Sequence, residues 1–192
     1  MSRRVTQKEN TRKKIVETAY HLYSLHGFSI ATSQIAKEAG VSHGTIFAHF
    51  PTVDALLDFL IEDFGHTLAI KIHSLSENGN SIQELLECHI EILSMHESFY
   101  RRLISERNLL PENAQLTFAD IQAMVAYHFN TVFERDIINQ SIKKISVHML
   151  FNTWMGLIHY YLLNKEFFSP NDLLLTRYKE ELISTFLELI RQ

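Results

Sequence analysis

Apolar residues recur every three or four positions along most of the chain. Ile15, Ala19, Leu22 and Tyr23 form one such stripe, and the same spacing continues through longer segments after residue 80. This period is typical of an amphipathic helix, whereas a half-buried strand would alternate at every second residue. No alternating run flanked by turn residues occurs in the sequence. The pattern therefore predicts an all-α protein of about nine helices.

Glycine and proline divide this helical pattern unevenly. Gly27, Gly40 and Gly44 fall close together, whereas Pro111 is the only breaker between Gly79 and Gly156. The spacing predicts three short N-terminal helices followed by longer ones. The first helix is predicted to start at a capping box over residues 6–9. The predicted helices cover about residues 6–26, 32–39, 42–49, 52–75, 82–93, 99–107, 117–139, 141–164 and 173–190, with a loop over 108–115.

The composition narrows the class of protein. Apolar residues make up 46% and charged residues 21% of the 192 residues, which is ordinary for a globular chain with its own core. Cys88 is the only cysteine, so the chain can form neither an internal disulfide nor a cysteine-rich zinc site. The first ten residues have no apolar segment typical of a secretory signal, and the apolar run 154–163 is too short to span a bilayer. We expect a cytoplasmic protein with no membrane partner.

Charge is distributed unequally along the chain. Residues 1–50 hold seven Lys or Arg and three acids, a net charge of +4, whereas residues 51–192 hold eleven basic and nineteen acidic residues, a net charge of −8. Such a division indicates that the N-terminal end binds a polyanion. The alternative is that Arg3, Arg4 and the basic residues up to Lys14 form only a solvated, frayed end.

Residues 35–50, IAKEAGVSHGTIFAHF, have the pattern of a helix-turn-helix. Gly40 stands at the turn, and Ser42 can cap the second helix. The first turn of that helix, residues 43–45, would then face a DNA groove. A helical hairpin inside an ordinary bundle would produce a similar pattern. The apolar wedge predicted between the two helices consists of Ile35, Ala39, Val41 and Ile46.

This segment resembles the signature of the TetR family of bacterial transcriptional regulators. The resemblance rests on IAKEAGVS-x-GT-x-(F/Y)-x-HFP, on the preceding LHGF at 25–28 and on the following DALL at 54–57. It covers residues 8–60 strongly, and the rest of the chain only in helical layout. The family implies a DNA-binding domain over residues 1–52, a regulatory and dimerisation domain over 53–192, and a homodimer that binds double-stranded operator DNA.

The resemblance also implies which residues face DNA. Thr45 and His49 would donate to phosphates, and His43 and the backbone of Gly44 would lie near base edges. His43 stands where lysine is common in the family, Phe47 stands where tyrosine is usual, and the spacing leaves Ala31 or Thr32 as the cap of the second helix. The predicted DNA-binding set is Arg3, Arg4, Thr32, Ser33, Ser42, His43, Gly44, Thr45, Phe47 and His49.

The larger domain is rich in aromatic residues and methionine, which suit an apolar or aromatic effector. For each candidate wall residue, ordinary core packing is the alternative. The glycine inside an apolar helix, together with the last helix, suggests a dimer seam, and internal packing is again the alternative. The predicted effector pocket is Phe64, His89, Phe99, Met124, Tyr127, His128, Phe151, Met155 and His159. The predicted seam is Trp154, Gly156, Leu182, Phe186 and Ile190.

Eleven histidines raise the question of a metal site. His89 and His96 lie on one helix face, as do His66 and His73, but two ligands on one helix are insufficient. No HExxH motif, phosphate-binding loop or nucleophile elbow occurs. We therefore expect no metal, no cofactor and no enzymatic activity.

These observations predict a sequence-specific DNA-binding regulator. The favoured form is a homodimeric repressor that a small, apolar or aromatic effector releases from its operator. The alternative is a helical DNA-binding interaction protein, a nucleoid or partner-bound factor, that has no small-molecule ligand.

Overall fold

The computed structural model describes residues 3–192, with side chains from residue 5 onward. This part of the chain contains ten α-helices and one short 3₁₀ turn, which confirms the all-α prediction. The additional helix is the short α9. The helices are α1 (Arg3–His26), α2 (Thr32–Ala39), α3 (His43–His49), α4 (Val53–Glu77), α5 (Ile82–Met95), α6 (Glu97–Ser105), α7 (Glu112–Ile138), α8 (Val147–Leu163), α9 (Lys165–Phe168) and α10 (Leu174–Ile190).

The N-terminal helices follow their predicted boundaries closely. Gly27 and Gly40 both adopt left-handed backbone conformations, with φ of 83° and 63°, which glycine adopts at little cost. The predicted start of α1 was wrong, because the helix begins at Arg3 and the capping-box residues lie inside it. Ala31 is the cap residue of α2 and provides no side-chain hydrogen bond.

Two C-terminal boundaries differ from the prediction for identifiable reasons. α7 begins at Glu112, inside the segment predicted as a loop. α8 begins only at Val147, because the preceding segment is extended and pairs with the end of α10. Ile142 is buried opposite Arg191, and the Lys143 amide donates to the Ile190 carbonyl at 2.7 Å. A nonlocal pairing of this kind leaves no helical-period signal in the sequence.

The chain forms two compact units. Unit 1 contains the residues up to Asp63 together with Ser98–Phe118, and unit 2 contains Phe64–Glu97 and Ala119–Gln192. Both α4 and α7 contribute residues to each unit. The sequence predicts functional domains divided at residue 52, whereas these units are defined by contacts within the folded chain. The functional division stays a prediction.

In unit 1, α2 packs on both α1 and α3. Ile35, Ala39 and Ile46 are fully buried, and Val41 is half-buried, as the wedge requires. Full burial of an isoleucine side chain contributes about 1.5–3 kcal/mol. This apolar contact fixes the crossing of α2 and α3 and leaves the polar face of α3 outside the core.

In unit 2, α10 packs on α5 and α8 around a core that is rich in aromatic rings. Trp154 is fully buried, with its ring centroid 5.2 Å from that of Phe186, and Phe133 and Phe129 continue the cluster. Among the described residues, no single helix is long and apolar enough to cross a membrane. The bent pair α3 and α4, at 57° to one another, meets that length and composition requirement only when the two are taken together.

Candidate functional site

The start of α3 is fixed by the predicted serine cap. The Ser42 hydroxyl accepts a hydrogen bond from the Thr45 amide at 3.1 Å, and the two hydroxyls are themselves hydrogen-bonded at 2.7 Å. One hydroxyl proton is used in that mutual bond, so the pair retains a second proton to donate outward. Both residues lie at the surface, so a phosphate oxygen could accept this proton.

The rest of the first turn of α3 is also accessible. A side chain added at Gly44 would meet only the Ser42 hydroxyl, at 4.0 Å, so a nucleic-acid backbone or base could approach closely here. His43 is exposed, and its ring lies edge-on to Phe47 with centroids 5.1 Å apart. Phe47 is 39% exposed to solvent. The structure thus places His43, Gly44 and Phe47 together on one exposed face.

The N-terminus of α2 offers a second position for an anion. Ala31 gives no side-chain cap, and its carbonyl accepts the Gln34 amide at 2.9 Å. Thr32 is half-buried and Ser33 is exposed in this first turn. Helix amides and hydroxyls in this arrangement are typical phosphate ligands.

Cationic residues of α1 lie beside the end of α3. Burial, followed by the positive charges of Lys8 and Arg12, lowers the pKa of His49 below its usual value. The Arg12 guanidinium lies over the Phe59 ring at 4.0 Å and near Phe50 at 4.8 Å, so it also stabilises packing. The basic segment is therefore a helix beside the candidate DNA face. Arg3 and Arg4 are also predicted to bind DNA, but their side chains are outside the part of the chain whose side chains are described.

The end of α1 is held by an ion pair that the sequence pattern did not indicate. Arg102 bonds Glu106 at 2.9 Å and donates to the Leu25 carbonyl at 2.7 Å. Glu106 in turn accepts from the Phe28 amide at 2.9 Å. A side chain at Gly27 would lie 2.5 Å from the Glu106 carboxylate. Leu25 and Phe28 lie more than seventy positions from Arg102 and Glu106, so no local motif could predict these two contacts.

The predicted effector residues occupy different environments. His89 is buried and accepts a hydrogen bond from the Trp154 indole at 3.1 Å. Burial, reinforced by His159, lowers the pKa of His89 to about 3, and burial lowers that of His159 to about 4. Both imidazoles are therefore neutral at physiological pH.

The remaining effector candidates range from buried to exposed. Phe99 belongs to unit 1, where its ring stacks on Tyr20 with centroids 4.5 Å apart. Tyr127 is 66% exposed. Phe64 and His128 are buried, and three more candidates are half-buried in unit 2: Met124, Phe151 and Met155.

The residues of the predicted dimer seam lie in two different environments. Trp154, Leu182, Phe186 and Ile190 are all buried within unit 2, so these side chains have little surface left for a partner. The sequence of α8 is apolar on more than one face, so periodicity does not show which face is buried. In the structure Trp154, its largest residue, faces the core of unit 2. Gly156 is exposed, with no atom within 4 Å of an added side-chain carbon. It lies on an outward apolar stripe with Met149, Tyr160 and Leu163.

Comparison with known proteins identifies the N-terminal segment. Residues 15–59 match the family described as bacterial regulatory proteins, tetR family. This segment is therefore similar to the N-terminal domain of TetR-family regulators. The match contains α2, α3 and the Ser42 cap, so the helix-turn-helix geometry described above lies within the segment that resembles this family. The resemblance expected from the sequence is confirmed.

One curated relative is also a helix-turn-helix regulator. YerO of Bacillus subtilis, an uncharacterised HTH-type transcriptional regulator, is 30% identical over 112 residues, 55% of this chain and 38% of its own length. This match therefore spans well under half of that relative.

Solved TetR structures share the fold. A TetR-family regulator from Agrobacterium tumefaciens is 18% identical, with a TM-score of 0.79 over 96% of this chain and 100% of its own. FadR of Bacillus subtilis, solved in complex with stearoyl-CoA, is 16% identical, with a TM-score of 0.72 over 91% of this chain and 97% of its own. Both of these proteins are transcriptional regulators.

Proposed function

We propose that this TetR-type chain is a sequence-specific DNA-binding regulator that reads its operator with α3. The observation that carries this proposal is the first turn of α3, which is capped by Ser42, exposed at Gly44 and bordered by the cations of α1. His43 and the backbone of Gly44 contact base edges, while Thr45 and His49 bind phosphates.

The N-terminus of α2 completes the proposed DNA face. Thr32 and Ser33 bind a second phosphate with their hydroxyls and amides, because Ala31 leaves that helix end without a side-chain cap. Phosphate contacts on both sides of α3 fix its register in the major groove.

The regulator is a homodimer in this proposal. Met149, Gly156, Tyr160 and Leu163 form an exposed apolar stripe along α8, which an isolated chain would leave in water at a cost. Pairing this stripe with its copy also sets two reading heads at a fixed distance. Half-sites one DNA turn apart, about 34–36 Å, suit such a dimer.

The dimer acts as a repressor that an apolar or aromatic effector releases. Phe151, Met155 and His159 follow one another by single turns on α8 and are half-buried, so a ligand could contact them from one side. The neutral imidazole of His159 could form the single polar contact that orients an apolar ligand. FadR, which shares this fold, binds stearoyl-CoA, and an acyl chain has the apolar character proposed for the effector.

Operator affinity should rise on mild acidification through His49. Burial and the neighbouring Lys8 and Arg12 hold its pKa below the usual value of about 6.5 in the free protein. A DNA phosphate next to the imidazole raises the pKa in the complex, so binding takes up a proton. Operator affinity therefore increases as the pH falls from the pKa of His49 in the complex to its pKa in the free protein. The increase is about tenfold for each pH unit between these two values.

The pH dependence of operator binding tests this role directly. We expect His49→Gln, which keeps a hydrogen-bond donor but cannot become charged, to flatten the affinity profile measured by fluorescence anisotropy between about pH 5 and 8. His21→Gln removes an exposed histidine of α1 and serves as the matched control with an unchanged profile. An acid-induced rise that persists in His49→Gln would show that His49 does not bind a phosphate.

A further inference from the structure

Three potential metal ligands from two helices converge in unit 2. His73 and Glu77 lie one turn apart near the end of α4, and His128 comes from α7. One ligand atom from each lies within 4.8 Å of the others. Two donors on one zinc ion, each at about 2.0–2.2 Å, are at most about 4.4 Å apart. Small rotations of the exposed His73 and Glu77 side chains therefore suffice to close the site.

A serine hydroxyl lies between His73 and His128. The Ser76 oxygen is 2.9 Å from the His73 carbonyl oxygen, which can only accept, and 2.8 Å from Nδ1 of His128. When the hydroxyl donates to the carbonyl, Nδ1 of His128 donates to the hydroxyl, and Nε2 keeps its lone pair for a metal. An oriented imidazole with its second nitrogen hydrogen-bonded is typical of metal-binding histidines.

His73, Glu77 and Tyr127 are neighbours of this imidazole. The His73 and His128 rings lie with centroids 5.0 Å apart, and the Tyr127 ring is 5.2 Å from His128. Two imidazoles and one carboxylate this close together would share a divalent cation favourably.

We propose that His73, Glu77 and His128 bind one divalent transition-metal ion of the zinc class. Two imidazoles and one carboxylate favour Zn²⁺, Co²⁺ or Ni²⁺ over Mg²⁺ and Ca²⁺, which prefer oxygen ligands. Three protein ligands leave a fourth position for water or another small ligand. The ion links the end of α4 to α7 within unit 2, and so stabilises that unit by binding the folded chain. Helical spacing places only His73 and Glu77 together, because His128 lies on a different helix. The sequence alone therefore does not indicate this site.

The test uses the full chain without a polyhistidine tag, freed of metal by a chelator. We expect calorimetric titration with Zn²⁺ to show one saturable site per chain, and Co²⁺ to develop the visible absorption of a bound ion. Thermal unfolding should move to higher temperature with Zn²⁺ and stay unchanged with Mg²⁺. His73 and Glu77 are exposed, so His73→Ala and Glu77→Gln should fold normally and weaken Zn²⁺ binding by more than tenfold, roughly the loss caused by removing even a supporting residue.

A histidine outside the cluster provides the matched control. His66 is exposed on α4, and His66→Ala should bind Zn²⁺ as the unaltered chain does. Ser76→Ala leaves all three ligands but removes the hydroxyl that orients His128, and should weaken binding about 10- to 100-fold. The proposal is overturned if the chain shows no saturable Zn²⁺ binding. It is equally overturned if His73→Ala and Glu77→Gln bind as tightly as His66→Ala.

Discussion

Replacing Glu97 by glutamine should lower the free energy of unfolding by about 3 kcal/mol. Glu97 is 2% exposed and accepts the backbone amides of Leu174 and Leu175 at 3.0 and 2.8 Å, at the start of α10. It also pairs with Lys165 at 3.0 Å. The neutral amide would keep the shape of the side chain, but it would lose the charge that these donors and the helix dipole stabilise. Lys165 would then be left without its anionic partner.

An exposed ion pair of unit 2 provides the control for Glu97. Glu91 bonds Lys179 with most of its side chain in solvent, so Glu91→Gln should cost no more than about 1 kcal/mol. Urea unfolding followed by circular dichroism, at one protein concentration for all variants, measures both changes. Equal midpoints for Glu97→Gln and Glu91→Gln would contradict the role of Glu97 as the anchor of α10.

Substituting Gly156 by phenylalanine should convert the proposed dimer into a monomer. An added Cβ at this exposed position has nothing within 4 Å in the isolated chain, so the fold itself should tolerate the change. At the proposed seam, however, a bulky ring on α8 would force the two copies apart and remove their close packing. Sedimentation at micromolar concentration should then show a dimer for the unaltered chain and a monomer for Gly156→Phe.

A phenylalanine on another exposed helix surface separates this effect from general disturbance. Ala123 is exposed on α7, outside the stripe of α8, and Ala123→Phe should remain dimeric. Far-ultraviolet circular dichroism should give equal helix content for both variants. A Gly156→Phe protein that sediments as a stable dimer would place the seam elsewhere.

The helix-turn-helix of α2 and α3 could be predicted from sequence because its determinants are local. Ser42 caps α3 by accepting the amide of Thr45, three residues along the chain. Gly40 ends α2 through its own left-handed backbone conformation. The bounds of α2 match the prediction because the apolar wedge and the breakers lie within the same short segment. Local chemistry thus determines both the fold of this segment and the face that it exposes.

The larger unit could be predicted only in outline. α8 is apolar on several faces, so periodicity alone could not decide that Trp154 turns inward and Gly156 outward. Glu97 lies far along the chain from the amides it accepts, and His128 lies far from His73. Such pairs depend on how distant helices pack, and no spacing rule within one helix reveals them.

Selection of binding sites from random duplex DNA tests the central claim most directly. If α3 reads an operator as part of a dimer, the unaltered chain should enrich an inverted repeat with half-site centres about 34–36 Å apart. Gly44→Glu should enrich no sequence, because it puts a negative charge on the exposed first turn of α3, where a side chain meets only the Ser42 hydroxyl at 4.0 Å. Failure of the unaltered chain to enrich any sequence, or enrichment of the same repeat by Gly44→Glu, would contradict DNA reading by α3.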